Sequence, residues 1–291
     1  MPDPLFTIVV PTRHRNAELA RCLDRLAPGA QALPAERYEV IVTDDGSSRT
    51  AEALVRETYP WAKWLAGPQR GPAANRNAGA ARASGEFIVF TDDDCLPSPQ
   101  WLASFAASLQ PGVDLYEGKT TCAAGLNPLV EEAPVNLHGG CLWSCNLAVR
   151  KSAFAALGGF DEDFPLPWCE DLEFGDRAKS AGYRCQFIAG AAVDHPPRPR
   201  PPGRKDGMRW ESRVLLWYKQ GHVGSPWSWL PVHLAKVRLA RILAQPAGWH
   251  SAVALGSFAS ELTHVLAHLS RWERKHRPAT VTTSRLKVLG R

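Results

Sequence analysis

Short apolar runs and amphipathic stretches alternate through the first two thirds of the chain. "FTIVVP" (residues 6–11) is an uninterrupted β-branched run, as expected of a strand covered on both faces. Behind it Asn16 stands where a helix cap belongs, and Leu19, Cys22, Leu23 and Leu26 share one helical face. "YEVIVT" (38–43) predicts a second strand. A helix around 50–58, a short strand near Trp64–Ala66 and a helix from about Ala73 to Ala83 follow. "EFIVFT" (86–91) predicts a further buried strand. This rhythm implies an α/β fold, an open, Rossmann-like parallel sheet with helices on both faces.

Beyond Pro99 the spacing of Trp101, Leu102, Phe105 and Leu109 predicts a helix. Residues 112–195 mix short strands with loops. A glycine-bearing loop runs from His138, with a strand near Leu147–Val149 and a short helix from Ser152 that stops at Gly158–Gly159. A helix beginning near Glu170 ends at Gly182, and another strand follows. From Pro196 the pattern changes. "PPRPRPPGRK" (196–205) predicts a stiff, basic linker. After it Leu255, Phe258, Leu262, Val265, Leu266, Leu269 and Trp272 keep helical spacing, so 206–291 is expected to be a helical extension.

Charge divides the chain at the same place. Residues 1–195 hold 17 Lys/Arg and 25 Asp/Glu, a net −8, whereas residues 196–291 hold 17 and 4, a net +13. Six of the eleven tryptophans also lie after residue 196. An acidic body with a basic, Trp-rich extension predicts an extension docked on the core, with peripheral contact to an anionic membrane as the alternative. Nucleic acid is not expected, because no recognition motif accompanies the charge. The seven cysteines have no repeated spacing and read as reduced core residues. The N-terminus lacks a charged segment followed by an apolar core, which predicts a cytoplasmic protein without a secretory signal.

Three predicted strands end in polar clusters: Thr12–Arg13–His14–Arg15, Asp44–Asp45–Gly46–Ser47 and Asp92–Asp93–Asp94. In open α/β sheets ligands bind beyond the carboxyl ends of the strands, so the clusters should converge on one crevice. Three consecutive aspartates repel one another unless a cation partners them. Mg²⁺ or Mn²⁺ with a bound pyrophosphate would do so.

"IVVPTRHRN", "VIVTDDGS", "ANRNAGAARASGEFIVFTDDDCLP" and "WCEDLEFGDR", in that order, resemble family 2 glycosyltransferases of the GT-A fold over about residues 5–195. The resemblance implies metal-dependent, inverting transfer of a sugar from a nucleotide-diphosphate donor, with a UDP-sugar expected. The acceptor would be a hydroxyl of a glycan or a lipid-linked glycan, as in cell-envelope polysaccharide synthesis. It implies hexosyl or N-acetylhexosaminyl transfer with Mn²⁺ or Mg²⁺.

By resemblance Pro11, Thr12 and Arg13 hold the nucleotide base, Arg15 joins the donor site, and Asp45 accepts a hydrogen bond from the base. Arg76 lies near the phosphates and Asp92 near the ribose; Asp93, between Asp92 and Asp94, is placed with the nucleotide-sugar residues as an assistant whose own task is open. Asp94 and His195 would hold the metal. Asp171 would be the catalytic base, and Trp143, Asn146, Trp168 and Glu170 belong to the acceptor segment. "GGC" (139–141) departs from the family's usual loop. Taken singly, acids at a helix start, a lone histidine and tryptophans all have structural readings.

Other functions fit less well. A nucleotidyltransferase calls for a glycine-rich phosphate loop after the first strand, and "PTRHRNAEL" has no glycine. An aspartyl phosphatase would need downstream lysine and acid motifs that are not evident. A non-catalytic binding module is hard to reconcile with Asp45, Asp92, Asp94, Glu170 and Asp171 all being present.

Overall fold

The computed structural model describes residues 4–278 and divides into two compact units. The first comprises the chain up to Asn127 together with Glu131–Pro199; the second comprises Pro128–Val130 and the chain from Arg200.

In the first unit the strands are β1 (Phe6–Thr12), β2 (Tyr38–Asp44), β3 (Lys63–Ala66), β4 (Phe87–Thr91), β5 (Leu96–Pro97), β6 (Leu115–Thr121), β7 (Glu131–Glu132), β8 (Asn146–Arg150), β9 (Cys185–Asp194) and β10 (Arg198–Pro199). Its helices are α1 (Asn16–Leu26), α2 (Glu52–Thr58), α3 (Pro72–Ala80), α4 (Trp101–Ser108), α5 (Lys151–Ala156) and α6 (Glu170–Ser180). One eight-stranded sheet runs in the order β3-β2-β1-β4-β8-β6-β9-β5. Strands β3, β2, β1 and β4 are parallel, β8 is antiparallel to both neighbours, and β9 is parallel to β6. The sheet is therefore mixed, with the parallel strands β3, β2, β1 and β4 together on one side.

The alternation of strand side chains explains why both faces carry helices. Phe6, Ile8 and Val10 of β1, with Phe87 and Val89 of β4, join one apolar cluster with Leu19, Leu23 and Trp101. Val9, Ile88 and Phe90 point the other way, into a cluster with Phe154, Phe160 and Phe174. Registers such as Thr12↔Asp44 and Thr91↔Asn146 align the strand ends, so the carboxyl ends of β1, β2 and β4 form one edge. At Thr121↔Asp194 the ends of β6 and β9 also meet, and His195 N–H donates to the Thr121 carbonyl at 2.8 Å.

The proline-rich 196–205 segment is not a free linker. Arg198–Pro199 pairs antiparallel with Glu131–Glu132, and a helix begins at Gly203. Proline sits well in an edge pair and just before a helix, so the same residues that suggested a spacer end one element and start the next.

The second unit contains α7 (Gly203–Lys219), α8 (Leu230–Leu243) and α9 (Trp249–His276). Val214, Leu230, Leu234, Val265, Leu269 and Trp272 form its core. The sequence-predicted extension continues to 291, but 279–291 lie outside the described residues. Among the described residues no helix is long and apolar enough to cross a membrane.

Candidate active site

The polar edge of the sheet is built from backbone outward. The carboxylate of Asp44 accepts the N–H groups of Gly46 (2.7 Å) and Ala51, closing the loop after β2. Asp45 accepts from the backbone of Gln69 (2.9 Å) and Gly71 (3.2 Å), which fixes the loop leading into α3. Asn75 reaches the Thr43 carbonyl at 2.9 Å and so ties α3 to the end of β2. The Asp44–Asp45 cluster is thus tied to the backbone of the loops on either side of it.

Within the aspartate triplet Asp92 has its own cation, whereas Asp93 and Asp94 share Arg15. Asp92 receives Arg76 at 2.6 Å. Asp93 accepts the Thr12 hydroxyl at 2.8 Å and pairs with Arg15 at 3.0 Å, tying the end of β1 to the turn after β4. This supplies the structural task that the sequence leaves open for Asp93. Burial outweighs Arg15 and raises the Asp93 carboxyl to about 7.

Asp94 pairs with Arg15 through Oδ2, and its Oδ1 lies 3.3 Å from His195 Nε2. Burial alone would raise Asp94, but His195 and Arg15 hold it well below the ordinary carboxylate range. His195 is buried, and burial would lower its pKa, yet Asp94 raises it to about 9. Its Nδ1 lies 3.0 Å from the Pro196 carbonyl.

These residues fit a divalent cation. Asp94 Oδ1 is a buried oxygen without a hydrogen-bond partner, and Asp94, Cys95 and His195 bring potential ligand atoms within 4.8 Å of one another. Two adjacent ligands about 2.1 Å from one ion lie roughly 3 Å apart, close to the observed oxygen–nitrogen separation. A proton on Nδ1 donated to Pro196 would leave the Nε2 lone pair for the metal, the usual outer contact of a ligating histidine.

Arg76 joins this edge to α6. It is buried, and its guanidinium bridges Asp92 and Glu170, the latter at 3.2 Å. Burial would lower its pKa, but Asp92 and then Glu170 raise it. The other oxygen of Glu170 accepts the Trp168 N–H at 2.8 Å. Glu170 therefore fixes the backbone on which Trp168 and Asp171 stand. Trp168 itself has φ 148° and Cys169 φ 79°, and the Trp168 side chain is 38% exposed.

Asp171 is half-buried at the first turn of α6 and accepts the N–H groups of Leu172, at 2.8 Å, and Ser144. Burial first and the charge of Glu170 second raise its carboxyl to about 7. A carboxyl poised there can accept a proton near neutral pH.

The structure gathers these side chains into two bonded groups, Thr12–Asp93–Arg15–Asp94–His195 and Asp92–Arg76–Glu170, which adjoin at the consecutive aspartates. Pro11 is half-buried beside it, and Arg13 is exposed one residue beyond Thr12. Asn146 departs from the acceptor role expected of it. Its amide donates to the carbonyls of Lys119 and Ala191, both at 3.0 Å, and accepts Trp101 Nε1 at 2.8 Å. That amide is committed to the fold, joining β6, β8, β9 and α4. Trp143 packs against the sheet core, so its ring is at least partly structural.

Glu117 was not expected from the sequence. It is buried, and its carboxylate accepts the backbone N–H groups of Gly140, Cys141 (3.0 Å) and Leu142 (3.0 Å), with Asn136 Nδ2 at 3.1 Å. Gly139 (φ 87°) could not be replaced cheaply, since a Cβ there would lie 2.8 Å from Glu117 Oε1. Glu117 thereby anchors the loop that delivers the Ser144 N–H to Asp171. In "LYEGK" nothing marks this glutamate apart from an ordinary strand polar residue.

Comparisons with known proteins agree with this geometry. Residues 7–121 match the sequence profile of Glycosyl transferase family 2. Validoxylamine A glucosyltransferase of Streptomyces hygroscopicus subsp. jinggangensis is 31% identical over 223 residues, 62% of this chain and 52% of the relative. Glycosyltransferase AglE of Haloferax volcanii is 28% identical over 211 residues, 67% of this chain and 68% of the relative. The chain thus spans about half the length of the validoxylamine A relative. Among solved structures, mannosyltransferase PcManGT of Pyrobaculum calidifontis in complex with GDP-Man and Mn²⁺ has a TM-score of 0.58 at 22% identity, covering 94% of this chain and 81% of that one. S. aureus TarS 1–349 has a TM-score of 0.56 at 18% identity, covering 97% and 76%. Both neighbours have the GT-A fold. Motif order, fold and relatives agree in placing residues 7–121 of this chain in glycosyl transferase family 2.

Proposed function

We propose that the chain transfers a sugar from a nucleotide-diphosphate donor, a UDP-sugar in the first instance, to a hydroxyl of a glycan or lipid-linked acceptor, with inversion at the sugar carbon. The observation that carries this reading is the buried Arg76 bridge, which couples the aspartate edge to the α6 start where Asp171 is raised to about 7. A nucleotide-binding edge alone would need no such base. Solved neighbours are described with UDP-GlcNAc in one case and with GDP-Man and Mn²⁺ in another, which favours a nucleotide sugar without choosing between nucleotides.

In this reading Thr12, Asp45 and Asp92 orient the nucleoside, and Arg15 and Arg76 supply positive charge near the diphosphate. Asp94 and His195 would hold Mn²⁺ or Mg²⁺, which when bound offsets charge on the leaving diphosphate. Asp171 takes the proton of the acceptor hydroxyl as its oxygen forms a bond to the anomeric carbon. The bond from that carbon to the diphosphate oxygen breaks, and the nucleoside diphosphate departs. Trp168 offers an exposed aromatic face on which an acceptor sugar can stack.

The test is release of nucleoside diphosphate from a panel of UDP- and GDP-sugars with Mn²⁺ or Mg²⁺ and simple glycan acceptors. One donor should turn over, and the product anomer should be inverted by NMR. Absence of turnover with every donor, together with no thermal stabilisation by any nucleoside diphosphate plus metal, would overturn the proposal.

A further inference from the structure

The second unit carries an exposed apolar surface set among basic residues. From Ser212 to Ser260 the sequence runs 49 residues without an aspartate or glutamate, while holding five basic residues. Nine of the fifteen large apolar side chains exposed among the described residues fall between Val223 and Leu255. Leu243, 82% exposed, ends α8, and Trp249, 79% exposed, begins α9; they bracket the turn between the two helices. On α8 the exposed residues Val232, Lys236, Leu239 and Leu243 recur at helical spacing, opposite the buried Leu230 and Leu234. Val253 stands one turn after Trp249 and is also exposed.

The charges around this face are unbalanced for a reason visible in the fold. Residues 200–278 hold 13 Lys/Arg against 4 Asp/Glu, a net +9. All four acids are tied up in ion pairs. Asp206 is held by Arg200, Arg209 and Arg238, and Glu261 by Arg238. Glu211 pairs with Lys275 and Glu273 with Arg277. No acid therefore stands on the apolar face to offset Lys236 and the half-buried Arg241.

We propose that the α8–α9 turn is a peripheral docking surface for an anionic lipid bilayer, with Leu243 and Trp249 entering the interface and the surrounding lysine and arginine residues facing lipid phosphates. An amphipathic helix that lies in an interface combines these features: an apolar stripe, tryptophan at the boundary, and basic residues without acids. A second copy of the chain is a poorer occupant, because pairing the same face would bring like charge against like charge. The proposal goes beyond glycosyl transfer and stands whether or not the chain turns over any donor.

The test uses the full chain in sedimentation with vesicles of phosphatidylcholine alone and of phosphatidylcholine mixed with phosphatidylglycerol. Binding should require the anionic lipid, weaken as salt is raised, and fall by about tenfold or more in the double substitution Leu243→Glu with Trp249→Glu. Both side chains are exposed, so the variant should keep the parent's thermal transition. A control substitution at exposed Leu126→Glu should bind as the parent does. Blue-shifted tryptophan emission on adding anionic vesicles should disappear in Trp249→Phe. Equal binding to both vesicle types, undiminished binding by the double variant, or a stable dimer that the double variant abolishes would each overturn the proposal.

Discussion

Both units bury carboxylates among arginines, yet they use them differently. In the second unit Asp206 and Glu261 share Arg238, at 2.7 Å from each, and Trp210 Nε1 donates to Glu261 at 2.7 Å. Every carboxylate oxygen of the pair has a donor. At the sheet edge of the first unit the same residue types leave gaps: Asp94 Oδ1 has no hydrogen bond, Asp92 and Asp171 are only half-buried, and Arg15 is partly exposed. A closed network of this kind holds helices together. An open one retains unsatisfied valence, and that is what makes it a site.

Substitutions should therefore act on activity in one unit and on stability in the other. The largest effect is expected from Asp94→Asn, which removes a charged ligand atom. Metal-supported turnover should fall about a thousandfold or more, a larger loss than the lowered melting temperature expected from the broken pairs with Arg15 and His195 can explain. Turnover close to the parent's would show that the gap at Oδ1 is not a ligand position.

Arg238→Ala should do the reverse, leaving Asp206 and Glu261 buried without their shared cation. Denaturant unfolding should show a loss of about 3–5 kcal/mol in the second unit. Nucleotide binding by the first unit, followed by calorimetry, should persist. A loss below about 1 kcal/mol would mean that the network is not closed in solution.

Glu117→Gln sharpens the comparison from inside the first unit. An amide would turn N–H groups toward the backbone N–H groups of Gly140, Cys141 and Leu142. Stability should fall by about 1–3 kcal/mol, and acceptor KM should rise more than donor KM. Equal changes in both would assign Glu117 to the fold alone.

The smallest effect is a pH dependence. Asp171 is raised from 3.8 to about 7, so between those values the folded chain keeps a proton that the unfolded chain has lost. Its contribution to stability is therefore unfavourable above the unfolded value, growing as pH rises toward 7. A base must be deprotonated, so kcat/KM should rise about tenfold per pH unit below 7 and level off above it. Asp171→Asn should remove its share of the stability slope and leave the share of Asp93, which is also raised to about 7. A flat profile between pH 5 and 8 would contradict the raised carboxyl.

Much of the first unit could be read from sequence because two local signals coincided there. Apolar runs of strand length ended in polar clusters, and the parallel register placed those clusters on one edge. What could not be read depended on distant partners. Asn146 looks like a site residue in "WSCNL", but its amide finds Trp101, Lys119 and Ala191, which periodicity does not bring together. Glu117 is hidden for the same reason, since its partners are backbone groups 23 to 25 residues away. Strand β8 enters antiparallel between β4 and β6, a pairing set by the tertiary fold rather than by the sequence around Leu147. In the second unit the helical pattern was clear, whereas the pairing of Arg238 with residues 23 and 32 positions away was not.

The open edge and its base are tested most directly by Asp171→Asn, with nucleoside diphosphate binding and sugar transfer measured on the same preparation. Transfer should fall about a thousandfold while binding in the presence of Mn²⁺ stays within a few-fold of the parent. Retained transfer, or transfer and binding lost together, would contradict the assignment of Asp171 as the base.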